Sequence, residues 1–220
     1  NDLGLFRSLV FDEKCNLLCF SPNKSDYKDK FFENVNTNDL VVEPLVEGTM
    51  INLFYDSRVN KWLISTKSTI GGNVSYFKNN NNEKGKTFKE MFDDAIGNDR
   101  SKFVEKFFDD NVYSFVLQHP DNRIVSYFNT PNLVLVEKYR IQDNKIEYVS
   151  PPLENLIKFN NEFDINIGPY SENQVPPNIM GCVLKNYKNN KKVKYRNTTF
   201  EYIKKLRGNQ CKLEYTYLQL

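Results

Sequence analysis

A chain of 220 residues can form one large domain or two small ones, with a sizeable core. Its 30 Lys and Arg stand against 28 Asp and Glu, so the net charge of +2 does not by itself demand a polyanionic partner. No stretch approaches the ~18–20 apolar residues of a membrane span, and Asn1-Asp2-Leu3-Gly4 does not open a signal peptide. No membrane partner is expected, and the expected address is intracellular and cytoplasmic.

Strand patterns dominate from the start. Leu5 to Phe11 and Leu17 to Phe20 flank a turn at Asp12 to Asn16 and read as a hairpin. Leu40 to Val46 reads as a strand that Pro44 confines to a sheet edge. Thr49 to Tyr55 and Lys61 to Thr66 flank Asp56 to Asn60, a second hairpin. Phe88, Met91, Phe92 and Ala95 recur at helical spacing within Thr87 to Ile96, with Thr87 as N-cap and Glu90 completing a capping box. Phe103, Phe107 and Phe108 predict a second helix after Ser101.

Val112 to Leu117, Ile124 to Phe128 and Leu133 to Arg140 read as strands, and Ile146 to Val149 pairs with the last across Asp143-Asn144. Pro151-Pro152 and Pro169 to Pro177 punctuate the chain, with a short helix predicted over Leu153 to Phe159. Met180 to Tyr187 and Lys192 to Arg196 form a hairpin turning at Asn189-Asn190, and Thr198 to Leu206 is a basic amphipathic helix. There is no internal repeat and no strand–helix alternation. The expected class is α+β with antiparallel sheets flanked by helices, in a single domain over 1–220. The abrupt ends fit a piece of a longer polypeptide.

Four cysteines (Cys15, Cys19, Cys182, Cys211) make no C-x-x-C, and His119 is the one histidine. Four reduced, buried thiols are expected, with no metal site. Abundant Asn, Lys, Tyr and Phe suggest an A/T-rich genome, such as that of a large DNA virus or a parasite, and Asn79 to Asn82 reads as a loop produced by the same bias. Basic residues gather late in the chain: Lys185, Lys188, Lys191, Lys192, Lys194, Arg196, Lys204, Lys205 and Arg207.

The most informative stretch is Glu43 to Asp56 with Trp62 to Gly72. Gly48 interrupts a strand, where glycine permits a bulge or a close backbone approach. Ser65-Thr66-Lys67-Ser68-Thr69 offers hydroxyls and one cation suited to phosphate, or is a polar loop.

In order and spacing these blocks resemble the phage-type ATP-dependent RNA ligases of the covalent nucleotidyltransferase superfamily. Arg7-Ser-Leu-Val-Phe-Asp12 is similar to an early R-G-hydrophobic-F-E strand. Glu47-Gly48-Thr49-Met50-Ile51 is similar to the tail of the nucleotidyl motif K-x-D-G, and Ser65 to Ser68 to the S-K-G block. Phe115 to Val125 resembles F-E-x-x-x-P-x-N-R-I-V. Gly181 to Leu184 resembles the E-G-hydrophobic strand, and Lys194-Tyr-Arg196 the closing K-x-K.

The resemblance implies a nucleotidyltransferase fold, ATP and magnesium as cofactors, and nucleotide or RNA as partners. In the family a motif lysine attacks the α-phosphate of ATP to give lysyl-AMP, and carboxylates hold the metal. Here the nucleophile position falls on Leu45. The two carboxylate positions fall on Val116 and Met180.

The same resemblance gives Arg7, Lys30, Glu47, Gly48, Lys67, Lys194 and Arg196 as nucleotide-binding candidates. Asn122, Arg123, Lys204 and Lys205 are nucleic-acid-binding candidates. Several have plainer alternatives. Arg7 is a strand-edge cation, Glu47 pairs with a lysine on a neighbouring strand, Asn122-Arg123 caps a turn after Pro120, and Lys194 and Arg196 are solvated. Lys24, Lys30 and Lys67 are the lysines to test as a displaced nucleophile.

The expected function is a degenerate ligase-like domain that binds nucleotide or RNA without forming lysyl-AMP. One alternative is an active ligase using a displaced lysine. Another is a structural or assembly subunit, held with other domains of a longer chain or in a larger assembly.

Overall fold

The computed structural model describes residues 7–36, 39–75, 85–142, 145–149 and 180–207. The expected helix at Leu153 to Phe159, the proline punctuation, Asn79 to Asn82 and Cys211 lie outside the described residues. Ten strands run in chain order: β1 Arg7–Phe11, β2 Leu17–Ser21, β3 Leu40–Pro44, β4 Thr49–Asp56, β5 Lys61–Ser65, β6 Asn111–Gln118, β7 Asn132–Gln142, β8 Lys145–Val149, β9 Gly181–Asn186 and β10 Lys191–Arg196. Four α-helices join them: α1 Lys28–Phe31, α2 Phe88–Ala95, α3 Arg100–Val104 and α4 Thr198–Arg207. Among the described residues every strand pair is antiparallel.

The strands form a two-stranded sheet β1-β2, a three-stranded sheet β10-β9-β3 and a five-stranded sheet β5-β4-β6-β7-β8. β3 is an edge, as Pro44 requires, since a proline has no N–H to give a further strand. Turn chemistry sets the hairpins. Asp12 accepts from the Lys14 and Asn16 amides, and Asn60 and Asn190 take positive φ. The Thr87–Glu90 capping box opens α2. The Asp99 carboxylate caps α3 by accepting the Lys102 N–H.

Period-two patterning sends each face of the five-stranded sheet to its own core. Ile51, Leu53, Tyr113, Phe115 and Leu117 pack on Met91 and Phe92 of α2. Phe54, Val112 and Tyr139 pack instead on Cys19 and Phe20 of β2. A third cluster joins Phe31, Leu40, Val42, Cys182, Leu184, Val193 and Tyr195 beneath the three-stranded sheet. α1 is absent from the sequence reading because four residues show no periodicity. Its Phe31 is nevertheless fully buried.

One expected strand does not form. Ile124 to Ser126 bend, and Tyr127 and Phe128 take no regular structure. The Val125 and Ser126 amides donate to the Glu47 carboxylate rather than to a neighbouring strand, and the Ser126 hydroxyl donates to it as well.

The three- and five-stranded sheets are joined by charge. The Lys192 ammonium of β10 meets Glu137 Oε2 of β7 at 2.8 Å, with both residues buried. Lys185 Nζ of β9 donates to the Val136 carbonyl at 2.8 Å and pairs with Glu43 at 2.6 Å.

Candidate functional site

Alternation along β10 separates two faces. Val193 and Tyr195 enter the apolar cluster, which turns Lys192, Lys194 and Arg196 to the other side. There Arg7 of β1, Lys24 and Ser25 of the loop after β2, Lys194 and Arg196 of β10, and Glu201 of α4 line a cleft of about 370 Å³. The loop is held against β10 by the Asp26 N–H, which donates to the Lys192 carbonyl at 2.7 Å. Asn197 positions α4 by accepting the Thr199 amide at 2.9 Å.

Four cations and one carboxylate line the cleft. Burial first, then Lys192, Arg7 and Arg196, lower the Lys194 ammonium to about 8, opposed by Glu137. Arg7 Nη2 donates to the Pro22 carbonyl at 3.0 Å, leaving its Nε buried without a hydrogen bond among the described residues. Ser25 Oγ and Arg196 Nε are in the same condition. Glu201 Oε1 lies 3.1 Å from Arg196 Nη1.

Of the sequence candidates, Arg7, Lys194 and Arg196 meet in this cleft, and Lys24, weighed as a displaced nucleophile, joins them. Lys67 is exposed on the loop after β5 and does not line it. Lys30 is exposed on α1. Lys204 is half-buried and Lys205 exposed on α4. Ser25 and Glu201 were missed, as was Glu137. The signal for Glu137 was available: it shares an inward strand face with Tyr139.

Glu47 and Gly48 serve the start of β4. The Glu47 carboxylate holds the 124–126 backbone, and no lysine pairs with it among the described residues. Asn122 is buried and donates to Thr49 Oγ1 at 2.8 Å. Arg123 is exposed over the Tyr127 ring. Gly48 has φ +147°, and a Cβ there would lie 2.3 Å from the Leu117 carbonyl oxygen and 2.7 Å from Val116 Cγ1. The close approach this glycine allows is therefore to β6.

The three apolar residues that the motif resemblance aligns with a nucleophile and two carboxylates, Leu45, Val116 and Met180, lie at strand ends and in the sheet. The Leu45 amide donates to the Gly181 carbonyl at 2.9 Å, continuing the β3–β9 pairing. Val116 is 5% exposed against Gly48. Met180 is half-buried just before β9.

No family model matches the chain. An RNA ligase of Rhodothermus phage RM378 is 28% identical over 125 residues, 56% of this chain and 28% of the phage protein. Among solved structures, an archaeal ATP-dependent RNA ligase aligns with 90% of this chain and 53% of its own, at a TM-score of 0.55 and 15% identity. A Naegleria gruberi RNA ligase variant solved with AMP and Mn aligns with 93% of this chain and 62% of its own, at a TM-score of 0.56 and 11% identity.

The fold is that of an RNA-ligase nucleotidyltransferase domain. The chain thus spans less than two thirds of each of these relatives. Its antiparallel sheets and flanking helices are the α+β nucleotidyltransferase architecture expected from the motif order. No described helix is long and apolar enough to cross a membrane.

The described residues do not fit the divalent metal with which related folds were solved. The motif resemblance puts its two carboxylate positions on Val116 and Met180. Glu137 Oε2 is paired with Lys192 and Glu201 lies beside Arg196, although Oε1 of each carboxylate makes no hydrogen bond among the described residues. Among the described residues, no group of three His, Cys, Asp or Glu is placed to hold a metal.

Proposed function

We propose that this chain is a degenerate RNA-ligase-like domain that binds a nucleotide or RNA through its phosphates and forms no lysyl-AMP. One observation carries the reading. Arg7, Lys24, Lys194 and Arg196 line one cleft of a chain with the RNA-ligase fold, and the motif resemblance puts the nucleophile and carboxylate positions on Leu45, Val116 and Met180. Leu45 has no lone pair to attack phosphorus, whereas Arg7, Lys194 and Arg196 still present donors to an anion.

The test is incubation with ATP labelled at its α-phosphate, in magnesium and then in manganese, followed by denaturing electrophoresis. The expected result is no covalent label, with ATP or RNA binding retained by calorimetry. An acid-labile, lysine-linked AMP adduct would sink the reading.

A displaced nucleophile has one observation in its favour: Lys194, with its lowered ammonium, and Lys24 both line the cleft. An active ligase of this kind would lose its label on Lys24→Ala or Lys194→Met. If neither nucleotide nor RNA binds, the fold has been kept for its surfaces, as in a structural or assembly subunit. The proposed setting is intracellular and viral, with further domains completing the polypeptide.

A further inference from the structure

We propose that the cleft lined by Arg7, Lys24, Ser25, Lys194 and Arg196 binds a multiply charged phosphate group without a divalent cation. The phosphate belongs either to a nucleotide's polyphosphate chain or to the 5′ end of an RNA. This deepens the anion-binding reading above and rests on it.

The first observation is the convergence of cations from three separate elements: β1, the loop after β2, and β10. They come together although like charges repel, and Lys194 has no carboxylate partner among the described residues. The second is the set of buried donors without a hydrogen bond among the described residues: Arg7 Nε, Ser25 Oγ and Arg196 Nε. A buried polar atom left this way calls for a ligand or a water, and phosphate oxygens satisfy N–H and O–H donors together.

The third observation is the state of the nearby carboxylates. Magnesium needs oxygen ligands, commonly one or two carboxylates beside the phosphate. Each nearby carboxylate lies beside a fixed cation, Glu137 Oε2 at 2.8 Å from Lys192 and Glu201 Oε1 at 3.1 Å from Arg196, so a metal would compete with that cation even for the Oε1 atoms that make no hydrogen bond among the described residues. The fixed cations therefore supply the neutralisation that a metal gives elsewhere, and a metal entering with the phosphate meets like charge.

Binding should also respond to pH. Lys194 is faced by Lys192 and Arg196 of its own strand, Arg7 of β1, Lys24 of the loop, Glu137 of β7 and Glu201 of α4. Below pH about 8 its ammonium is already charged in the free protein. Above that pH, binding has to take up a proton, so affinity weakens as pH rises.

The experiment is calorimetric titration of the 220-residue chain. The probes are ATP, inorganic tripolyphosphate, and a short oligoribonucleotide carrying either a 5′-phosphate or a 5′-hydroxyl. Each is titrated in EDTA and again in excess magnesium. At least one phosphate ligand should bind in EDTA within about twofold of its affinity in magnesium, and Lys194→Met should weaken it by about tenfold to a hundredfold, as for a lost hydrogen bond to a charged group.

Lys24→Ala, at an exposed position, should weaken binding in the same direction and covers the case in which the Lys194 variant fails to fold. Binding of ATP and tripolyphosphate supports the polyphosphate source. A preference for the 5′-phosphorylated oligonucleotide over the 5′-hydroxyl one supports the RNA end. Binding that requires magnesium overturns the inference while leaving the nucleotide-site reading intact. No binding of any probe under either condition overturns both.

Discussion

At the residue scale, two side chains of one strand have different partners and different expected behaviour. Lys192 is buried against Glu137. Removing the lysine alone leaves an uncompensated buried carboxylate, so Lys192→Ala should cost about 3–5 kcal/mol by urea denaturation. The double variant Lys192→Met with Glu137→Leu should recover most of that loss. If the double variant is no better than the single one, the pair is not the cause.

Lys194 behaves oppositely. Its folded value of about 8 lies below the ordinary 10.5. The unfolded chain therefore binds more protons between these values, and stability rises with pH across that window. Lys194→Met should flatten the rise and, near neutral pH, stabilise the protein by about 1–3 kcal/mol. A variant less stable than the parent at neutral pH would count against the assigned cause. Gly48→Ala should destabilise by more than about 2 kcal/mol, because its Cβ meets the Leu117 carbonyl at 2.3 Å. An unchanged denaturation midpoint would contradict this.

At the element scale, the loop between β6 and β7 owes its shape to one carboxylate. Glu47→Gln retains acceptor capacity through its amide oxygen but loses the charge and half of the acceptor set. Hydrogen exchange should then quicken at the Val125 and Ser126 amides by about tenfold, while β4 amides stay protected. Exchange unchanged at both amides would show that the loop holds itself.

The same loop marks where sequence reasoning stopped short. Ile124 to Phe128 has the composition of a strand, but its N–H groups are taken by a residue nearly eighty positions earlier, a contact that local pattern does not encode. β4, β6 and β7 were legible because alternation survives where two faces pack on two cores. α2 was legible because its capping box is local.

At the scale of the whole molecule, the order of the motif blocks carried the architecture, and RNA-ligase folds are what the chain superposes on. The cleft was legible in part. Arg7, Lys194 and Arg196 came from motif order. Ser25 and Glu201 come from a loop and a helix that meet β10 only in three dimensions, and no spacing announces them. Lys67 met the opposite outcome: its block matched, yet it lies exposed and outside the cleft lining.

The crowding of cations in that cleft also bears on folding. An anion that binds only the folded chain draws the equilibrium toward it, by about 2.7 kcal/mol at a hundred times its dissociation constant. Phosphate-rich buffer should therefore raise the melting temperature of the parent more than that of Lys194→Met. A cell that supplies the ligand would, on this account, be supplying part of the protein's thermal resistance as well.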